Sequence, residues 1–152
     1  MPIRNPHQRT SPAPRDGTAR LKPRVLLVED YEDAREMYRD YLVFSGFEVY
    51  TADNGHEAIE KAQAFDPDVI LMDLSLPALD GWEATRRLKA DAGTAHIKVI
   101  ALSAHAMAAE ARRAAQAGCD GFIAKPCLPE ELVVQLTRLL QTGDSRRKGR
   151  GR

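Results

Sequence analysis

Five side chains able to do chemistry stand at the ends of short apolar runs. Glu29 and Asp30 follow Val25–Val28, Asp73 follows Val69–Met72, Ser103 follows Val99–Leu102, and Lys125 follows Gly121–Ala124. In an open parallel sheet the reactive crevice lies outside the carboxyl ends of the strands, where strand order reverses. If the runs are strands of such a sheet, all five groups meet at one edge. Three carboxylates there would repel and raise one another's pKa unless a cation sat among them, and an all-oxygen ligand set suits a hard divalent ion, Mg2+ or Mn2+. Such an ion is completed by a phosphoryl oxygen, so phosphoryl transfer is the expected reaction class. Asp73, ending a central apolar run, is the candidate nucleophile. Lys125 is placed to pair with its charge and with a phosphoryl oxygen, and Ser103 to donate a hydrogen bond to another.

The elements that would position these groups can be read between them. Val25–Val28, Val69–Met72 and Val99–Leu102 are continuously apolar, as strands covered on both faces must be, and are expected at the middle of the sheet. Phe47–Ala52 alternates and Gly121–Ala124 is short, so both are expected at the periphery. Helical stripes fill the gaps. Ala34, Met37, Tyr38, Tyr41 and Leu42 precede Gly46 at a C-terminal cap, and Asn54 with Glu57 forms a capping box for a helix that Pro67 stops. A third helix follows Asp80, with Trp82, Thr85 and Leu88 inward and Arg86, Arg87 and Lys89 outward. Alanine-rich Ala106–Ala117 is the fourth, and Leu132, Val133, Leu136, Leu139 and Leu140 mark a fifth beginning at Pro129. Five βα pairs in succession predict an α/β, doubly wound parallel sheet.

A chain of 152 residues suits one domain with its own core. Charge divides it into three parts: a basic, Pro-rich arm over 1–23 expected to be disordered, a domain over 24–142, and a basic tail over 143–152, also expected to be disordered. Residues 1–24 carry six Lys or Arg against Asp16, the last ten carry five against Asp144, and the part between is acidic by nine formal charges. The arms could touch nucleic acid, a membrane or an acidic partner, or simply be solvated or fold back on the acidic domain, and the solvated reading is preferred. No run approaches the length of a membrane helix and no apolar leader opens the chain, so membrane insertion is not expected and the cytoplasm is the expected location. Cys119 and Cys127 have no metal or redox spacing and read as idle thiols. His56 and His96 are expected to face solvent, with no metal, and Trp82 to pack in the core.

Taken together, residues 25–140 resemble the receiver domain of two-component signalling proteins, as a single-domain response regulator or the receiver of a hybrid kinase. The resemblance rests on Val25-Leu26-Leu27-Val28-Glu29-Asp30, on Leu71-Met72-Asp73-Leu74-Ser75-Leu76-Pro77 with Asp80-Gly81, on Ser103-Ala104 and on Lys125-Pro126. It implies a flavodoxin-like (βα)5 sheet of order 2-1-3-4-5 and a cis peptide after Lys125. Asp73 would be the phosphoacceptor, served by Lys125 and Ser103. Glu29, Asp30, Asp73 and the backbone carbonyl of Ser75 would hold the metal, Ser103 and Phe122 would form the switch pair, and Ser75 and His105 would line the path of attacking water. The implied donor is a histidine kinase or histidine phosphotransfer protein, and the output partner another protein met by the face of helix four, strand five and helix five. Glu29 departs modestly from the family, where Asp is also common, so Asp30 is the surer ligand and Glu29 is placed for contact through water. The resemblance implies a phosphoacceptor switch and no enzyme beyond self-phosphorylation from small donors and self-dephosphorylation, present as monomer or weak dimer.

Two other classes fit less well. A phosphatase similar to the haloacid-dehalogenase group needs a second Asp two residues after its nucleophile, and Ser75 stands there. A nucleic-acid module built on the arginine tails lacks residues that stack on or read bases, and no Gly-rich phosphate loop supports nucleotide binding. With no output domain following residue 142, effects are expected to pass through protein contacts, a separate chain or a parent protein.

Overall fold

The structure is a computed structural model that describes residues 22–104 and 108–150, with side chains through residue 141. The expected arm through residue 21, the start of helix four at Ala106, and His105 lie outside the described residues. Five strands and five helices alternate: β1 (Arg24–Val28), α1 (Glu32–Phe44), β2 (Glu48–Ala52), α2 (Gly55–Phe65), β3 (Val69–Asp73), α3 (Gly81–Ala90), β4 (Lys98–Ser103), α4 (Ala108–Ala117), β5 (Gly121–Ala124) and α5 (Pro129–Arg150). All strand pairs are parallel and the order is β2-β1-β3-β4-β5. The continuously apolar runs take the middle of the sheet and the two weaker runs its edges, as their hydrophobic patterns require.

Because side chains alternate across a strand, each apolar run feeds two cores. Val25, Leu27, Val69, Leu71, Ile100 and Leu102 meet Tyr38 and Leu42 of α1 and Leu132 and Leu136 of α5. Leu26, Val28, Ile70, Met72 and Val99 meet Ala58 and Ala62 of α2 and Ala84 and Leu88 of α3. Truncating a residue such as Leu132, which is 1% exposed, to Ala costs about 2–5 kcal/mol. Helix ends follow the caps expected of them. Asn54 Oδ1 accepts from the Glu57 amide at 2.9 Å while Glu57 Oε1 accepts from the Asp53 amide at 2.9 Å, and Gly46 takes a φ of +100° after α1.

Three expectations are adjusted. Met37 is exposed, because the buried line of α1 runs through Tyr38 and Leu42. Lys89 is turned along the surface and not outward, its Nζ donating to the Ile97 carbonyl at 2.6 Å and to Asp120 at 3.0 Å. Arg24, counted with the basic arm, is 1% exposed; its guanidinium donates to the Phe65 carbonyl and Glu48, and its amide to Asp68. It clamps the amino edge of the sheet, so its charge is internally matched. The last helix, α5, runs on to Arg150. Cys119 and Cys127 are free thiols, His56 is exposed, and His96 is half-exposed with Nε2 2.7 Å from Asp66 Oδ1.

Candidate functional site

Strand register brings the five chemical groups to one edge. Val28 pairs with Met72, so Glu29 comes level with Asp73; Asp73 pairs with Leu102, and Ser103 with Ala124, so Ser103 follows one step and Lys125 two steps further along. The ends of the strands are tied to one another: the Glu29 amide donates to Ala52, Leu74 to Leu102 and Lys125 to Ser103. Glu29, Asp73 and Ser103 are buried at 1%, 5% and 2% exposure, while Asp30 is exposed.

One oxygen each from Glu29, Asp30 and Asp73 lies within 4.8 Å of the others. Lys125 Nζ reaches over this acidic group, 2.5 Å from Glu29 Oε1 and 3.5 Å from Asp73 Oδ2. Pairing with Asp73 was anticipated; the tighter partner is Glu29, whose additional methylene carries its carboxylate to the lysine. Burial, reinforced by the neighbouring Asp73 charge, pushes the Glu29 carboxyl up to about 7 in spite of Lys125. Burial works against the Lys125 ammonium, yet the hydrogen bond it donates to Glu29 and the charge of Asp73 hold its pKa above the ordinary lysine value. Two carboxylates sharing a single ammonium are incompletely neutralised, and a divalent cation ringed by oxygen ligands fits that deficit.

The loop after β3 wraps Asp73. Ser75 is exposed, and its amide donates to Asp73 Oδ1 at 2.9 Å. Ala78 adopts a φ of +61°, and Asp80 caps α3 by accepting from the Glu83 amide at 2.9 Å. The peptide bond between Lys125 and Pro126 is cis. Phe122 is half-buried on β5 and borders a cluster of Leu74, Trp82, Ala101, Ala114 and Ala117, so Trp82 packs inside as its helical spacing suggests.

Several supporting residues escaped the reading of the sequence. Arg35 Nη1 donates to the Glu29 carbonyl at 2.9 Å, strapping the loop that presents the acid pair. Tyr38 Oη donates to the Cys127 carbonyl at 3.0 Å, tying α1 to the turn after Lys125. A Cβ on Gly81 would lie 2.3 Å from the Asp73 carbonyl oxygen, and one on Gly55 2.3 Å from that of Leu79, so α3 and α2 approach the acceptor loop only because those positions are glycine. Of these, only Gly81 left a signal in the sequence, as part of Asp80-Gly81.

A parallel sheet of order 2-1-3-4-5 with an acid pair, a third carboxylate and a lysine at its carboxyl edge defines a class, and comparison agrees. The chain belongs to the response regulator receiver domain family, matched over residues 25–137, and is thus a receiver of two-component signalling, a family whose members interact with histidine kinases and output proteins. It is 43% identical over 102 residues to the polar-differentiation response regulator DivK of Brucella anthropi, covering 67% of this chain and 83% of that one. Among solved structures it is similar to the chemotaxis response regulator CheY4 of Vibrio cholerae (30% identity, TM-score 0.74, 77% of this chain and 98% of that one). It is likewise similar to the receiver domain of the sensor histidine kinase PA1611 of Pseudomonas aeruginosa (33%, TM-score 0.70, 80% and 96%), solved with a magnesium ion coordinated in its active site cleft. No helix among the described residues is long and apolar enough to cross a membrane.

Proposed function

We propose that residues 24–142 form a phosphorelay switch that accepts a phosphoryl group on Asp73 from the phosphohistidine of a histidine kinase or phosphotransfer protein. An Asp73 carboxylate oxygen attacks phosphorus, the P–N bond of the donor breaks, and the imidazole leaves with its electron pair. Glu29, Asp30, Asp73 and the Ser75 backbone carbonyl would hold Mg2+ or Mn2+. When bound, the cation offsets charge on the phosphoryl oxygens. Lys125 turns from Glu29 toward a phosphoryl oxygen, and Ser103 donates to another. With Ser103 engaged, Phe122 turns inward, and the face of α4, β5 and α5 changes for an output protein. Ser75 lines the approach of water, and it and His105, which lies outside the described residues, set the lifetime of the phosphoryl group. The chain works in the cytoplasm as a monomer or weak dimer, without turnover of an outside substrate.

The observation that carries this reading is the set of three carboxylates within 4.8 Å of one another, with Lys125 bridging two of them. The test is intact mass after incubation with acetyl phosphate. Mg2+-dependent gain of one phosphoryl group by the wild type, absent in Asp73→Asn, is expected; no gain by the wild type from acetyl phosphate or from a phosphorylated histidine donor would overturn it.

A further inference from the structure

Helix α4 is thinly held. Of its ten residues only Ala114 and Ala117 are buried, and each methyl side chain removes little apolar area from water. A further contact comes from Arg113, which is exposed and whose guanidinium carbon lies 4.4 Å from the centre of the Trp82 ring. The indole belongs to the cluster with Leu74, Ala101, Ala114 and Ala117 that Phe122 borders. That cluster adjoins the phosphoacceptor: Leu74 follows Asp73, Ala101 lies two residues before Ser103, and Gly81, immediately before Trp82, packs against the Asp73 carbonyl. The ring that Arg113 covers therefore belongs to the cluster that Phe122 packs against.

We propose that Arg113 is a positioning residue of the switch: its cation–π contact with Trp82 holds α4 on the cluster in the unphosphorylated state and is loosened when Phe122 moves in. The inference rests on the phosphoacceptor reading above. A contact of this kind at a partly exposed position shifts a two-state equilibrium roughly twofold to fivefold. Removing it weakens the resting state alone, so ligands of the active state bind more tightly.

The test is beryllofluoride, a tetrahedral mimic of the acyl phosphate, titrated in Mg2+ into the full chain by calorimetry. The chain has one tryptophan, so emission from Trp82 follows the same event. Arg113→Ala is expected to bind beryllofluoride about twofold to fivefold more tightly than wild type, with its ligand-free emission already shifted toward the bound value. Arg113→Lys, which keeps a cation but loses the planar stacking surface, falls between them. Equal or weaker binding by Arg113→Ala, with any change confined to melting temperature, means that the contact merely props the helix and overturns the proposal. Failure of the wild type to bind beryllofluoride at all would overturn the phosphoacceptor reading, and this inference with it.

Discussion

Replacing Glu29 by Gln should make the metal-free protein more stable, although it breaks an ion pair 2.5 Å long. In the folded chain the carboxyl is raised from 4.5 to about 7, first by burial and then by Asp73, with Lys125 only partly compensating. Between those values the native state holds a proton that the unfolded chain has lost, so stability falls as pH rises from about 4.5 to 7 and is flat above. At about 1.4 kcal/mol for each tenfold change, the ionised group costs about 3 kcal/mol at pH 8. Lys125, whose pKa is raised, contributes stability that is fully present up to the ordinary lysine value and does not vary across this window. Gln mimics the protonated acid, so Glu29→Gln should gain about 3 kcal/mol in EDTA at pH 8, or roughly 10 °C in melting temperature, and nearly match wild type at pH 4.5. Denaturant titrations of both proteins at the two pH values decide it. A variant equal to or less stable than wild type at pH 8 would mean that the Lys125 pair outweighs burial and repulsion, and the account of the site's electrostatics would be wrong.

If Mg2+ takes the ionised form of Glu29, its affinity should fall about tenfold between pH 8 and pH 6, with about half a proton released per ion at pH 7; calorimetry in two buffers measures both, and Glu29→Gln should flatten the profile. Lys125→Met leaves Glu29 and Asp73 without their shared ammonium and should destabilise the metal-free fold by about 2 kcal/mol at pH 8, allowing for partial solvent access at the lysine. Saturating Mg2+ should restore much of that loss in a thermal melt. Gly81→Ala places a methyl 2.3 Å from the Asp73 carbonyl oxygen, so the acceptor loop must shift; we expect a loss of about 1–3 kcal/mol by denaturation and slower phosphoryl gain from acetyl phosphate by intact mass.

Periodicity alone located all ten elements, because continuous runs such as Val69-Ile70-Leu71-Met72 are stable only where both sheet faces are covered. The same reasoning placed Asp73 and Lys125 at one edge, since polar residues ending parallel strands have nowhere else to go. What pattern could not convey was direction. Met37 fits the helical stripe of α1 as well as Tyr38 does, but only the crossing of α1 over the sheet decides that Tyr38 is buried. Arg24 and Lys89 look like solvated cations until the chain returns Asp68, Glu48 and Asp120 to them from distant positions. Arg35 is equally silent, because its bonds go to backbone carbonyls, which carry no residue signature.

The glutamate at position 29 divides labour within the acid pair in a way that aspartate would not. Its extra methylene lets the carboxylate stay buried and reach Lys125, while Asp30 remains exposed. The lysine is thereby held closer to Glu29 than to Asp73. A divalent cation entering beside Asp30 would neutralise both and weaken the hold of Glu29 on the ammonium, freeing Lys125 to follow negative charge arriving on Asp73. Shortening the side chain by Glu29→Asp tests that division: the lysine should move toward Asp73 and the pKa of the residue at position 29 should fall as it loses burial. A carboxyl still titrating near 7 in that variant, read by NMR, would show that its environment and not its reach sets the electrostatics of the pair.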